Sequence, residues 1–229
     1  MNEVGAIMEG ETELAFVQTV LAPYFQTKGI TIWARLPGRV NRQGGVQSWS
    51  VIRGDIVRTL KERSSRFCTT MFDYYAMPRD WPGRFEASEL PWDKRGAYVE
   101  RAIFEDLAHH MGSDFRQERF IPYVQMHEFE AILFSDVRRL GAVLTEIFGA
   151  SSPEIMDQLH SIVVEAGSPE AIDDSPNSAP SKRIISLASG YKKTLHGILV
   201  AQRIQLPVIC ASCLNFNHWI TRLEALGTK

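Results

Sequence analysis

Three acidic residues follow short apolar, β-rich runs: Glu9 after residues 4–8, Asp73 after residues 67–72, and Glu128 after residues 120–126. Glu13 lies about one helical turn beyond Glu9, and Glu130 two residues beyond Glu128. Clustered carboxylates repel one another unless protons or a cation neutralise them. A hard cation with oxygen ligands, Mg²⁺ or Mn²⁺, is the natural occupant. Such an ion polarises phosphoryl oxygens and activates water. The competing use of these acids is helix capping, because a negative charge is favoured at a helix N-terminus.

Basic and aromatic residues could complete such a site. Lys182, Arg183, Lys192 and Lys193 flank a Gly-Tyr step, and one of them could stabilise charge on a scissile phosphate. Arg39 and Arg42 stand in a Gly-containing loop as candidate phosphate contacts. The alternative for all six is a solvated surface. Tyr74, Tyr75, Trp81 and Trp92 can stack on bases or serve as core and loop anchors.

Other motifs point away from other chemistries. Cys210 and Cys213 form a lone Cys-x-x-Cys; Cys68 and His218 lack finger spacing, so small buried thiols are the better reading. His127-Glu128-x-Glu130 lacks the second histidine of a zincin, because position 131 is alanine. His109 and His110 read as surface residues of an amphipathic helix. There is no P-loop signature and no Gly-x-Ser-x-Gly elbow.

The elements that must position the acids follow from periodicity. Residues 4–8, 31–36 and 67–72 read as strands, and 120–126 as a fourth candidate that Pro122 either weakens or places at a sheet edge. Thr12 is placed to cap a helix running to about Tyr24. Helices are expected over 49–63 and 96–111, and a short helical run over 127–133. A Pro- and Trp-rich loop fills 78–92. Beyond residue 135 only helices are expected, over 137–148, 153–166, 182–189, 191–204 and 215–226. The predicted architecture is a small parallel α/β sheet flanked by helices over residues 1–135, with an all-helical C-terminal extension over 136–229 packed on it. In such a sheet ligands bind at the carboxyl ends of the strands, so Glu9, Asp73 and Glu128 would face one crevice.

Composition sets the frame. The chain has 229 residues, of which 45% are apolar, enough for a core without disulfides. With 25 basic and 27 acidic residues the net charge is −2, so an anionic partner must be held by local patches or a metal ion. Three cysteines and no long apolar run fit a soluble cytoplasmic protein with no membrane partner.

Met8-Glu9-Gly10-Glu11-Thr12-Glu13 resembles the Glu-Gly-x-Thr-Glu signature that opens Toprim domains of OLD-type nucleases. Phe72-Asp73-Tyr74-Tyr75 and the stretch from His127 to Asp136 resemble a Toprim-like bacterial family, domain of unknown function family 4276. Pro180 to Arg183, Tyr191 to Gly197, and Phe216 to Trp219 resemble the same family. The resemblance implies Glu9 as the first metal-binding or acid–base carboxylate, Glu13 as its helix-borne partner, and Asp73 as the first acid of an Asp-x-Asp motif. Tyr75 stands where the second aspartate would be, and Glu128 or Glu130 would supply the missing charge. The resemblance further implies an Mg²⁺/Mn²⁺-dependent nuclease acting on DNA or RNA, with an ABC-type ATPase partner in phage defence. Two rivals stay open: a catalytically degenerate binding or adaptor subunit docked on the ATPase, and a small-molecule phosphohydrolase. A homo-oligomer is a further option.

Overall fold

The computed structural model describes residues 2–38, 47–149, 152–172 and 178–227. The chain divides into two compact units, one comprising Met1–Met126 with Thr221–Lys229, the other His127–Ile220.

The first unit is built on a five-stranded parallel sheet: β1 (Asn2–Met8), β2 (Ile30–Arg35), β3 (Phe67–Asp73), β4 (Phe120–Ile121) and β5 (Val124–Gln125). The order is β2-β1-β3-β4, and β5 also pairs with β3. β1 and β3 are continuously buried over five residues each, as strands covered on both faces must be. β4 and β5 form one edge strand interrupted at Pro122, which has no N–H to give the ladder. Thr70 spans the break: its hydroxyl accepts from Tyr123 N–H at 3.1 Å and donates to Tyr123 C=O at 3.3 Å.

A helical segment over residues 11–26 connects β1 to β2. It widens into a π turn at Val17–Leu21, just before Pro23, whose ring nitrogen cannot donate to the Thr19 carbonyl. Its N-cap is Gly10, not Thr12, which lies inside the first turn. Trp49–Glu62 and Trp92–Met111 are the other long helices of this unit. Ile52, Ile56 and Leu60 from the first, and Val99, Ile103 and Leu107 from the second, join Ile7, Cys68, Phe72, Phe120 and Val124 in one core. The Pro-rich loop holds one helical turn, Arg84–Ala87, and Tyr74, Met77 and Trp81 anchor it in the same core.

The second unit is helical. At its centre the expected short helical run is a 3-10 helix, Phe129–Asp136. Residues 129–134 are buried all round, so packing rather than amphipathic pattern maintains this tight geometry. Asp136 caps Val137–Phe148 by accepting from Arg139 N–H at 3.0 Å. Ser152–Ala166, Pro180–Leu187, Ile198–Ile204 and Leu214–Glu224 follow the expected order. A π turn, Lys193–Gly197, opens the expected 191–204 helix, and a further helix, Leu206–Ser212, was not read from sequence. Glu170 ties the start of the last helix by accepting from Asn215 N–H at 3.0 Å and Phe216 N–H at 2.9 Å.

Glu100, on Trp92–Met111, accepts from Val124 N–H at 2.9 Å and so secures the resumed edge strand. Burial lifts its carboxyl to about 7, against the Val124 N–H and the charge of Arg222. The folded value lies above the ordinary 4.5, so the stabilisation Glu100 gives is complete below 4.5 and lost as pH rises through about 7. Glu100→Gln keeps an acceptor without the charge. Its melting temperature should gain on the wild type between pH 5 and pH 8, as followed by circular dichroism.

Candidate active site

β1 and β3 are neighbours in register, with Met8 beside Met71, so their carboxyl ends emerge together. Glu9 N–H donates to Met71 C=O at 3.1 Å, and the Glu9 Oε2 accepts from Asp73 N–H at 2.7 Å. That second bond ties the Glu9 carboxylate to the backbone of the other acid and fixes its direction. Glu13 is buried, and its Oε2 accepts from Gly10 N–H at 3.1 Å. This is the glutamate half of a capping box. It holds the tight turn that presents Glu9. Glu9, Glu13 and Asp73 thus share the C-terminal edge of the sheet in the first unit.

Glu128 and Glu130 belong to the second unit and meet Lys193 there. The Lys193 Nζ lies 2.7 Å from Glu128 Oε1 and 3.3 Å from Glu130 Oε2. Glu128 Oε2 also accepts from Ser181 N–H at 2.9 Å, so this acid caps Pro180–Leu187, a helix remote from it in sequence. The Tyr191 hydroxyl donates to Glu130 Oε1 at 3.4 Å. Gly197 makes room for that hydroxyl, since a Cβ there would lie 2.6 Å from it. Burial disfavours charge on Glu128, but Lys193 and Ser181 outweigh it and hold the carboxyl below its ordinary range. Burial also works against the Lys193 ammonium, and Glu130 and Glu128 more than offset it. Burial first, then the Glu130 and Glu128 charges, push the Tyr191 phenol up, so it stays a neutral donor.

The other expected site residues have separate places. Lys182 is exposed and, with Arg183, lines a groove of about 450 Å³ beside Asp157, Ser161 and Glu165. Arg183 Nε donates to Ser178 C=O at 2.7 Å. Lys192 is exposed. Arg39 and Arg42 lie outside the described residues. Tyr74 and Trp81 are core anchors, whereas Tyr75 is 39% and Trp92 40% exposed. Tyr191 and Ser181 were not foreseen as partners of the acids; their signal was proximity in sequence to Lys193 and Lys182. Among the described residues no group of three or more His, Cys, Asp or Glu side chains is arranged to hold a metal ion. No single helix among them is long and apolar enough to cross a membrane.

A parallel sheet ended by carboxylates, accompanied by a helical unit, defines the class. The model of a domain of unknown function, DUF4276, matches residues 8–224, and the chain belongs to that family. The fold is that of the C-terminal region of the Burkholderia pseudomallei OLD protein, with a TM-score of 0.50 over 98% of both chains at 14% identity. The C-terminal region of the Xanthomonas campestris pv. campestris OLD protein aligns over 97% of this chain and 94% of its own, at 15% identity and a TM-score of 0.45. No curated protein sequence matches significantly.

Lys193→Met removes the ammonium shared by two acids. The Lys193 side chain is 42% exposed, so the loss should be about 1–3 kcal/mol, less than for a fully buried pair. Because Glu128 is held below 4.5, the pair's contribution is complete above that value and lost as pH falls below it. Thermal melts should therefore separate variant from wild type at pH 7 and begin to converge only below pH 4.5.

Proposed function

We propose that this chain is a Toprim-type nuclease that hydrolyses phosphodiester bonds of DNA or RNA with Mg²⁺ or Mn²⁺. The observation that carries the reading is the pairing of Glu9 and Asp73 at the carboxyl ends of adjacent parallel strands, joined by the 2.7 Å bond from Asp73 N–H to the Glu9 carboxylate. The donor set suits magnesium, which needs only one or two protein carboxylates and takes its other oxygens from water and substrate phosphate. A bound ion would polarise the phosphoryl oxygens and lower the pKa of an attacking water. Glu9 and Asp73 would hold it, and Glu13 keeps the Gly10 turn in the conformation that presents Glu9. The OLD-like fold supports the reading, and family membership adds an ABC-type ATPase partner and a defence role to the proposal.

Tyr75 favours a second reading, a degenerate subunit that binds and docks on the ATPase without cutting. It puts an aromatic ring where a second aspartate would bring charge. Lys193 bears on the same question, since it gives Glu128 and Glu130 a counter-charge that needs no metal.

Purified protein, alone and with any ABC-type ATPase that co-purifies with it, should cleave labelled DNA or RNA with Mn²⁺ or Mg²⁺ and not in EDTA. Glu9→Gln, which keeps an acceptor for Asp73 N–H, should slow cleavage by roughly 100-fold or more, the scale of losing one group that stabilises transition-state charge. Its melting curve should match the wild type. Cleavage that survives both EDTA and Glu9→Gln overturns the mechanism.

Tyr75→Asp separates the two readings further. It should tighten Mn²⁺ binding in a calorimetric titration by adding an anionic ligand beside Asp73. Unchanged Mn²⁺ affinity would mean that position 75 does not face the ion.

A further inference from the structure

The segment after Asp73 gathers positive charge that the cleavage reading leaves unused. Tyr74 and Tyr75 lead out of β3 with rings 5.1 Å apart, edge to face. The Arg84 guanidinium lies 3.8 Å from the centre of the Tyr74 ring. It donates to Tyr74 C=O at 2.9 Å and to the Tyr74 hydroxyl at 3.0 Å. Arg95 donates to the Tyr75 hydroxyl at 3.1 Å and to Leu90 C=O at 2.8 Å. Burial holds the Arg84 guanidinium below its ordinary range; Tyr74 and Tyr75 pull it up, and the charges of Arg79 and Arg95 push it down again. Arg79, exposed in the same loop, and Arg95 thus both lie within the field of Arg84. Among the described residues none of them forms an ion pair with a carboxylate.

The surroundings keep this cluster in place. Gly83 has φ +72°, and a Cβ there would lie 2.6 Å from the Ala102 Cβ, so the Arg84 turn sits directly on the helix that bears Arg95. Tyr74, Trp81 and Ala87 are locked in the core on either side of it. Exposed aromatics occupy the same segment: Tyr75, Phe85 at 60% and Trp92 at 40%. Trp92 and Arg95 are three residues apart on one helix and so are surface neighbours.

We propose that Arg79, Arg84 and Arg95, together with Tyr75, Phe85 and Trp92, form a platform that binds single-stranded nucleic acid next to Asp73. Guanidinium groups without carboxylate partners suit backbone phosphates, which they can meet with paired donors. Exposed rings between them suit unstacked bases, whose faces a duplex keeps hidden. The net charge of −2 gives the chain no general attraction for polyanions, so binding must come from a local patch of this kind. The proposal deepens the nuclease reading by naming the strandedness of the substrate and the residues that grip it.

The test is fluorescence anisotropy with a labelled oligo-dT across a salt series, in EDTA so that nothing is cut. The Arg79→Ala/Arg95→Ala double variant should bind roughly tenfold more weakly or worse, and its slope of log affinity against log salt should flatten by about 1.4, or 0.7 for each lost phosphate contact. Trp92→Ala should weaken binding roughly tenfold and leave the slope unchanged, because stacking releases no counterions. Arg116→Ala, which removes an exposed arginine paired with Glu118, should change neither. Melting curves check that each variant is folded; Arg79 and Trp92 are exposed, so their single variants serve if the double variant fails to fold. Wild type that does not bind, or a folded double variant with wild-type affinity and slope, overturns the platform. The same oligonucleotide with Mn²⁺ tells the two proposals apart. Arginine-dependent binding without cleavage upholds the platform and sinks the nuclease. Cleavage with an unchanged KM in the double variant does the reverse.

Discussion

A strand buried on both faces can carry charge only at its ends. β1 and β3 obey this constraint, and the candidate site follows from it. Their interiors are closed to water, so ionised side chains within them would face a large desolvation cost. Glu9 and Asp73 stand at the first positions where the chain emerges. Parallel pairing sends both ends out on the same side, and the Asp73 N–H then finds the Glu9 carboxylate. One backbone donor thereby sets the direction of an acid from another strand. Precision of this kind comes from the sheet, not from the loops that follow it.

The second unit solves a related problem by other means. Its central 3-10 helix brings Glu130 into full burial, where a lone carboxylate would not stay charged without compensation. Lys193 provides the counter-charge and Tyr191 a hydrogen bond. Glu128 and Glu170 each accept the orphan N–H groups of a helix distant in sequence. Acids in this unit thus act as long-range caps, which pin helices that carry little internal support of their own.

Much of the fold was legible because its strands are short unbroken apolar runs and its helices have a clear apolar stripe. Pro122 predicts a strand that is weakened or placed at an edge, and the strand is both interrupted there and at the edge. Where local rules competed, tertiary structure overrode them. Thr12 is a good capping residue, yet Gly10 takes that position because Glu13 reaches back to its N–H. The run from Phe129 packs as a 3-10 helix because it is buried on every side. Leu206–Ser212, introduced by Pro207, spans only about two turns, too few for an apolar stripe to repeat in the sequence. The aromatics after Asp73 divided between anchor and surface in a way no spacing rule could separate.

By itself the sequence determined which residues could bear charge at the strand ends, the parallel α/β class, and the departure at Tyr75. Those follow from residue type and from periods of two and 3.6, which are local properties. Only the tertiary structure decided which partner each charge has. It gave Lys193 rather than Lys182 to Glu128 and Glu130, turned Glu13 onto a backbone N–H, and gathered Arg84 and Arg95 around two tyrosines. Such pairings join residues up to 65 positions apart. They depend on how elements pack, and packing is a property of the whole core rather than of any stretch within it.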